Sequence, residues 1–196
     1  MSPSHESPER LPVRGEARGS HFDRSFGRGD ERVVLTAHDP KWPYLFQREA
    51  ERVREALGPV AVAVEHVGST AVPGLAARPC VDLLLLVGDP ADEGAYRPAL
   101  EKAGYVLHYA EPDFHDHHVF KGPGVSSTLH VFADGPEPRR ILALRDRLRA
   151  DTEDRERYER AKRDLAERHG DSVQDYAEGK TGVIEEILSR APEAGR

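Results

Sequence analysis

Residues 60–87, VAVAVEHVGSTAVPGLAARPCVDLLLLV, limit the possible folds more than any other part of the chain. Two apolar runs, 60–67 and 80–87, are each too short for an ordinary helix, and the first is rich in β-branched valine. A loop of small residues, GSTAVPGLAARP, separates them. The second run carries no polar residue except Asp82, so no polar alternation marks a solvent face. A strand of this kind is buried on both faces, which predicts a sheet with material packed on either side.

The remaining segments supply that material. Val33 to Leu35 is expected as a short strand. DPKWP is turn chemistry, with Asp39 available as a cap. Phe46, Ala50, Val53 and Leu57 recur at helical spacing, predicting a helix over 43–57 that stops at Gly58-Pro59. DPADEGAYRPALEKAG offers a second helix ending at Gly104. Residues 105–110 read as a strand, and 117–122 with 126–134 as an antiparallel pair turned through Pro123-Gly124. The C-terminal third reads as helices over 138–149, 153–169 and 172–191. The fold class is therefore α+β, a mixed β-sheet with flanking helices and a helical C-terminal segment. Residues 1–31, rich in Ser, Pro, Gly, Arg and Glu, are expected as a disordered leader before a domain over 32–192.

Composition narrows the function. A net charge of −7 argues against general nucleic-acid affinity. The single cysteine, Cys80, excludes an intrachain disulfide and fits a reducing, cytoplasmic setting. No apolar run is longer than Leu83 to Val87, which is too short to span a bilayer, so no membrane partner is expected.

Two readings of the Gly-Ser loop compete. Gly68 lets the backbone approach a ligand, and the N–H groups and hydroxyls of Ser69 and Thr70 suit a phosphate oxygen. Asp82, fourteen residues on, can lie beside the loop and hold a Mg²⁺ that bridges to phosphate. Alternatively, Ser and Thr cap the turn and Asp82 accepts buried hydrogen bonds. His108, His115, His117 and His118 invite a zinc reading, but their spacing matches no metal motif. Alternation sends His117 and His118 to opposite faces, favouring a polar hairpin.

The phrase EHVGSTAVPGLAARPCVDLLLLV resembles the GrpB family of the nucleotidyltransferase superfamily, through His66, Gly68, Ser69, Thr70, Ala71, Pro73, Gly74, Leu75, Arg78, Pro79 and Asp82. DPKWP, STLHVF and the C-terminal helices extend the resemblance over about residues 33–191. It implies a nucleotidyltransferase-like sheet with the Gly-Ser loop beside the acidic strand. The superfamily's acidic strand usually carries two carboxylates, with a third on a later strand. Here Leu83 and Leu84 follow Asp82, and His130 stands where the third is expected. One metal or none fits such a ligand set better than two.

The resemblance implies an enzyme that binds a nucleotide or another phosphorylated small molecule and transfers a nucleotidyl or phosphoryl-type group. His66, Gly68, Ser69, Thr70 and Arg78 are candidate phosphate contacts. Asp82 would ligate Mg²⁺ and His130 would assist the chemistry. Arg145, Lys162 and Lys180 on the C-terminal helices are candidate cations for the ligand. Tyr158 with Lys162, and Tyr176 with Lys180, stand at i,i+4, each presenting a ring and an ammonium on one helix face. Arg147, Arg155 and Arg157 are expected in solvent. A catalytically reduced binding module of the same fold is the rival, favoured by the missing second carboxylate. The acceptor and oligomeric state are not legible.

Residues 1–31 lack periodic apolar surface to offset chain entropy. Deleting them should leave the melting temperature nearly unchanged in a thermal melt, whereas a drop of many degrees would show that they pack on the domain.

Overall fold

The computed structural model describes residues 32–124 and 126–190. The leader, Val125 and the final six residues lie outside the described set.

The chain runs α1 (Trp42–Leu57), β1 (Ala63–Val67), β2 (Val81–Leu86), α2 (Arg97–Lys102), β3 (Val106–Glu111), β4 (His117–Lys121), β5 (Ser127–Phe132), α3 (Pro136–Ala150), α4 (Thr152–His169), α5 (Val173–Gly179) and α6 (Thr181–Ser189). The strands form one mixed sheet in the order β1-β2-β5-β4-β3. Only β2 and β5 pair in parallel, and the other pairs are antiparallel. The α+β architecture expected from the strand and helix pattern is present.

Alternation along β2 divides the core. Val81, Leu83 and Leu85 pack with Leu129 and Val131 of β5 under α1, which contributes Trp42, Phe46, Ala50, Val53 and Leu57. Leu84 points the other way, onto Val67, Phe132 and Ile141 of α3. Helices α3, α4 and α6 then build a second core from Leu148, Tyr158, Ile184 and Ile187 against Val72 and Leu75 of the β1–β2 loop. The loop is thus enclosed between the sheet and a helical cap.

Four local expectations change. Residues 33–35 form no strand. Thr36 makes an isolated bridge to Ala77, while Val33 packs on Val173 and Tyr176. The first strand starts at Ala63 because Gly58–Val60 completes a 3-10 turn. The last expected helix is two, broken at Lys180, which ends α5 and begins α6. A Cβ on Gly179 would lie 2.4 Å from Leu165 Cδ2, so the corner packs directly on α4. Arg147 and Arg157 join helices instead of facing solvent, through Asp154 (2.6 Å) and Glu186 (3.2 Å). Arg147 stands in the last turn of α3 and Asp154 in the first turn of α4, where helix-end charge favours a cation and an anion.

Four buried histidines lie on the described strands. His66 is in register with Leu83, on the α1 face, where it stacks on Phe46 with centroids 4.6 Å apart. On the opposite face, Glu111 of β3 is in register with His117 of β4, and the two bond at 2.9 Å through Nδ1. His117 Nε2 lies 3.1 Å from His130 Nδ1 on β5, and its ring stacks on Phe132. His118 points to the other face, where it meets Glu93, as alternation requires. Among the described residues, no three metal-ligating side chains gather to hold an ion.

Burial pushes the His66 imidazole down to about 3, helped by Arg149 and Arg145. Burial also lowers His117, against the pull of Glu111, and takes His130 well below the usual range. All three stay neutral in the folded state while the unfolded chain binds protons near pH 6.5. Stability must therefore fall as pH drops below about 6.5, and for His66 the fall continues toward pH 3 at about 1.4 kcal/mol per pH unit. Thermal melts between pH 7 and 4.5 should show a steady decline, lessened by His66→Gln. A flat profile would show that the histidines protonate in place.

Candidate functional site

The turn after β1 is built around a close approach. Gly68 has φ +72°, a left-handed conformation that glycine accepts without strain. A Cβ there would stand 2.5 Å from Asp82 Oδ2. Gly68 is thus required twice, for its backbone angle and for the carboxylate pressed against it. Asp82 reaches this place because β1 and β2 pair Val67 with Asp82, at the mouth of the loop. Residues Ser69–Ala71 continue as a single 3-10 turn.

Helices α3 and α4 clamp the loop. Arg149 Nε donates to the Ala71 carbonyl at 2.8 Å, and Glu159 Oε2 accepts from Ala76 N–H at 3.0 Å. Lys162 is 1% exposed, and its Nζ donates to Ser69 Oγ at 3.1 Å and to the Ala76 carbonyl. Its ammonium also lies 5.1 Å from the Tyr158 ring centre. Lys180, 4% exposed at the α5–α6 corner, lies 4.7 Å from the Tyr176 ring centre. Both ring–ammonium pairs expected from i,i+4 spacing are present as cation–π contacts.

These groups converge on one cleft. Gly68, Ser69, Thr70, Arg78, Asp82, Arg145, Lys162 and Lys180 all line it. Asp82 is the one carboxylate in its described wall. Arg145 sits at the rim, bonded to Glu65 (2.8 Å), Asp146 (2.7 Å) and the His66 carbonyl (3.0 Å). Its burial opposes the charge, but the two carboxylates raise its pKa above the ordinary guanidinium value.

Two candidates lie elsewhere. The His66 side chain does not line the cleft. Its register with Leu83 turns it to the α1 face, where Nε2 meets Thr70 Oγ1 at 3.0 Å and supports the turn from behind. His130 shares the face of Asp82 but lies two residues beyond Thr128, the register partner of Asp82. It is buried inside the sheet layer, wired through His117 to Glu111, and does not line the cleft either.

Several contributors were not among the sequence candidates. Glu159 follows Tyr158, and Arg149 stands four residues after Arg145, but neither pattern separates a loop clamp from a solvated helix charge. Thr128 accepts from Lys121 Nζ at 3.1 Å and lies 3.5 Å from Cys80 Sγ. Burial and the Asp82 charge push the Cys80 thiol up, so it serves as a small buried group and not as a thiolate.

The chain is similar to known proteins in sequence and to one solved structure in fold. A UPF0157 protein of Halalkalibacterium halodurans is 52% identical over 160 residues, covering 81% of this chain and 82% of its own. A dephospho-CoA kinase of Mycolicibacterium paratuberculosis is 30% identical over 186 residues, covering 81% of this chain but 46% of that protein. The crystal structure of the conserved protein GrpB from Enterococcus faecalis superposes with a TM-score of 0.69 at 28% identity, over 80% of this chain and 98% of that one. Among the described residues no helix is long and apolar enough to cross a membrane. With the family model for GrpB protein matching residues 32–190, the chain belongs to the GrpB family.

Proposed function

We propose that the cleft binds a nucleotide or another phosphorylated small molecule. One observation carries this reading: two almost fully buried lysines, Lys162 and Lys180, face the same cleft as Arg78 and Arg145. Burying an ammonium costs several kcal/mol, and a packing role would be filled better by a hydrophobic side chain. Cations collected beside a Gly-Ser turn, in a chain of net charge −7, suit a polyanion. Lys162 donates to Ser69 Oγ, which leaves the hydroxyl's own proton free to turn toward a phosphate oxygen. A relative named dephospho-CoA kinase adds support for a phosphorylated small molecule.

Group transfer is the second half of the proposal. Asp82 would hold a Mg²⁺ that arrives with the ligand's phosphates and polarises a phosphoryl oxygen. One buried carboxylate among cations fits a single ion and does not fit a two-ion centre, which needs several hard oxygen ligands. Lys162, Lys180 and Arg78 would neutralise charge developing on the transferred group. His130 acts at one remove. Glu111 accepts the Nδ1 proton of His117, so His117 Nε2 accepts from His130 Nδ1, a chain that would fix the His130 ring behind the cleft as a positioning residue that does not touch the ligand. The rival reading, binding without turnover, draws on the single carboxylate.

Calorimetry with pyrophosphate and with ATP tests the binding. Affinity should fall with added salt, and Lys180→Met should weaken it by about tenfold or more, about 1.4 kcal/mol. Mg²⁺ should bind detectably only with ATP present. Absence of any anion binding would sink the reading. Asp82→Asn separates the two halves. It should abolish Mg²⁺-dependent turnover in a folded protein while phosphate affinity holds or rises, because a negative charge beside the ligand is removed. Unchanged turnover would remove Asp82 from the chemistry, and binding without turnover in the parent protein would identify a binding module.

A further inference from the structure

The cleft has a second, uncharged half. Leu35 and Leu144 are half-buried at its wall, and Ile141, Leu148 and Ile184 form a buried apolar floor contributed by α3 and α6. These side chains are aliphatic. The aromatic residues in the described wall are Tyr158 and Tyr176, at 4% and 3% exposure. Each ring already carries its own helix's lysine over one face. At that exposure, and with one face already occupied, neither ring presents an open face for the stacking on which base recognition commonly depends.

The polar lining is equally selective. Beyond its charged groups it consists of the Cys80 thiol and four hydroxyls, two of them on the almost fully buried Tyr158 and Tyr176 and the other two braced from behind. Ser69 Oγ accepts from Lys162, and Thr70 Oγ1 meets His66. Among the described residues no amide side chain lines the cleft, and the sequence contains no asparagine. The paired donor and acceptor that an Asn or Gln offers to an adenine edge is absent. Charge complementarity thus lies on one side, toward Lys162, Lys180 and Arg78, and shape-tolerant aliphatic surface lies on the other.

We infer that the ligand is a phosphate ester or diphosphate ester carrying a short aliphatic body, held by its phosphate at the lysines and by its carbon chain against Leu35, Leu144 and Ile184, with no nucleobase read. This rests on the phosphate-binding reading above and narrows it to a substrate class. The two halves have separate signatures. The phosphate end is salt-sensitive and common to all phosphorylated ligands. The aliphatic end gains about three- to fourfold in affinity for each methylene buried.

Calorimetric titration with inorganic pyrophosphate, then with ethyl, butyl and hexyl phosphate, and finally with ribose 5-phosphate and AMP, tests the inference. Affinity should climb along the alkyl series by about three- to fourfold per buried methylene. AMP should bind within about twofold of ribose 5-phosphate, because the base finds no partner. Leu144→Ser should flatten the alkyl series, and Leu35→Ser provides the same test if that variant does not fold. A flat alkyl series, or AMP binding tenfold or more tighter than ribose 5-phosphate, overturns the aliphatic assignment while leaving phosphate binding intact. Failure of every compound, pyrophosphate included, overturns both.

Discussion

The ammonium of Lys162 joins the two halves of the molecule. It reaches from α4 to Ser69 Oγ and the Ala76 carbonyl, at the two ends of the β1–β2 loop. Without that link, the loop would keep the apolar contacts of Val72 and Leu75 and the hydrogen bonds to Arg149 and Glu159, but would lose the group that ties Ser69 to Ala76. A charge at 1% exposure is costly to bury, and hydrogen bonds from two different parts of one loop offset much of that cost. The loop's conformation, the position of Ser69 and the width of the cleft all follow from where α4 places this group.

Asp82 depends on the same loop from the other side. Its carboxylate occupies space that any side chain at residue 68 would fill. Loop and carboxylate therefore form a packed unit, held by Lys162 and Arg149 above and by β-pairing with Val67 below. The cations at the cleft are not equivalent. Arg145 is tied to Glu65 and Asp146 at the rim, whereas Lys162 and Lys180 lie deeper in the wall, each over a tyrosine ring, with Lys162 also bonded to the loop. An anion entering there meets groups already desolvated, for which electrostatic attraction is stronger than in water.

The histidines show why residue identity alone did not place every side chain. His66 stands two residues before Gly68 and would line the cleft in any reading based on proximity along the chain. Strand alternation sends it to the α1 face, because His66 pairs with Leu83 while Val67 pairs with Asp82. His130 keeps the face of Asp82 but not its depth, since parallel pairing aligns Asp82 with Thr128. A shift of one or two residues in register decides both outcomes, and register depends on how the whole sheet pairs.

The apolar run around Asp82 determined an interior strand, and with it a sheet covered on both faces. The small-residue phrase before it determined a tight loop beside that strand. The i,i+4 spacing determined both tyrosine–lysine pairs, because helix geometry alone sets which side chains meet. Only the tertiary structure decided that the helix expected over 172–191 breaks at Lys180, since the Gly179 contact with Leu165 depends on a distant helix. It alone also decided that Arg149 and Glu159 hold the loop, that Glu111 orders two buried histidines, and that aliphatic side chains from α3 and α6 complete a cationic cleft. Local pattern reports which face of an element is apolar, but which elements share a cleft depends on contacts between residues far apart in the chain.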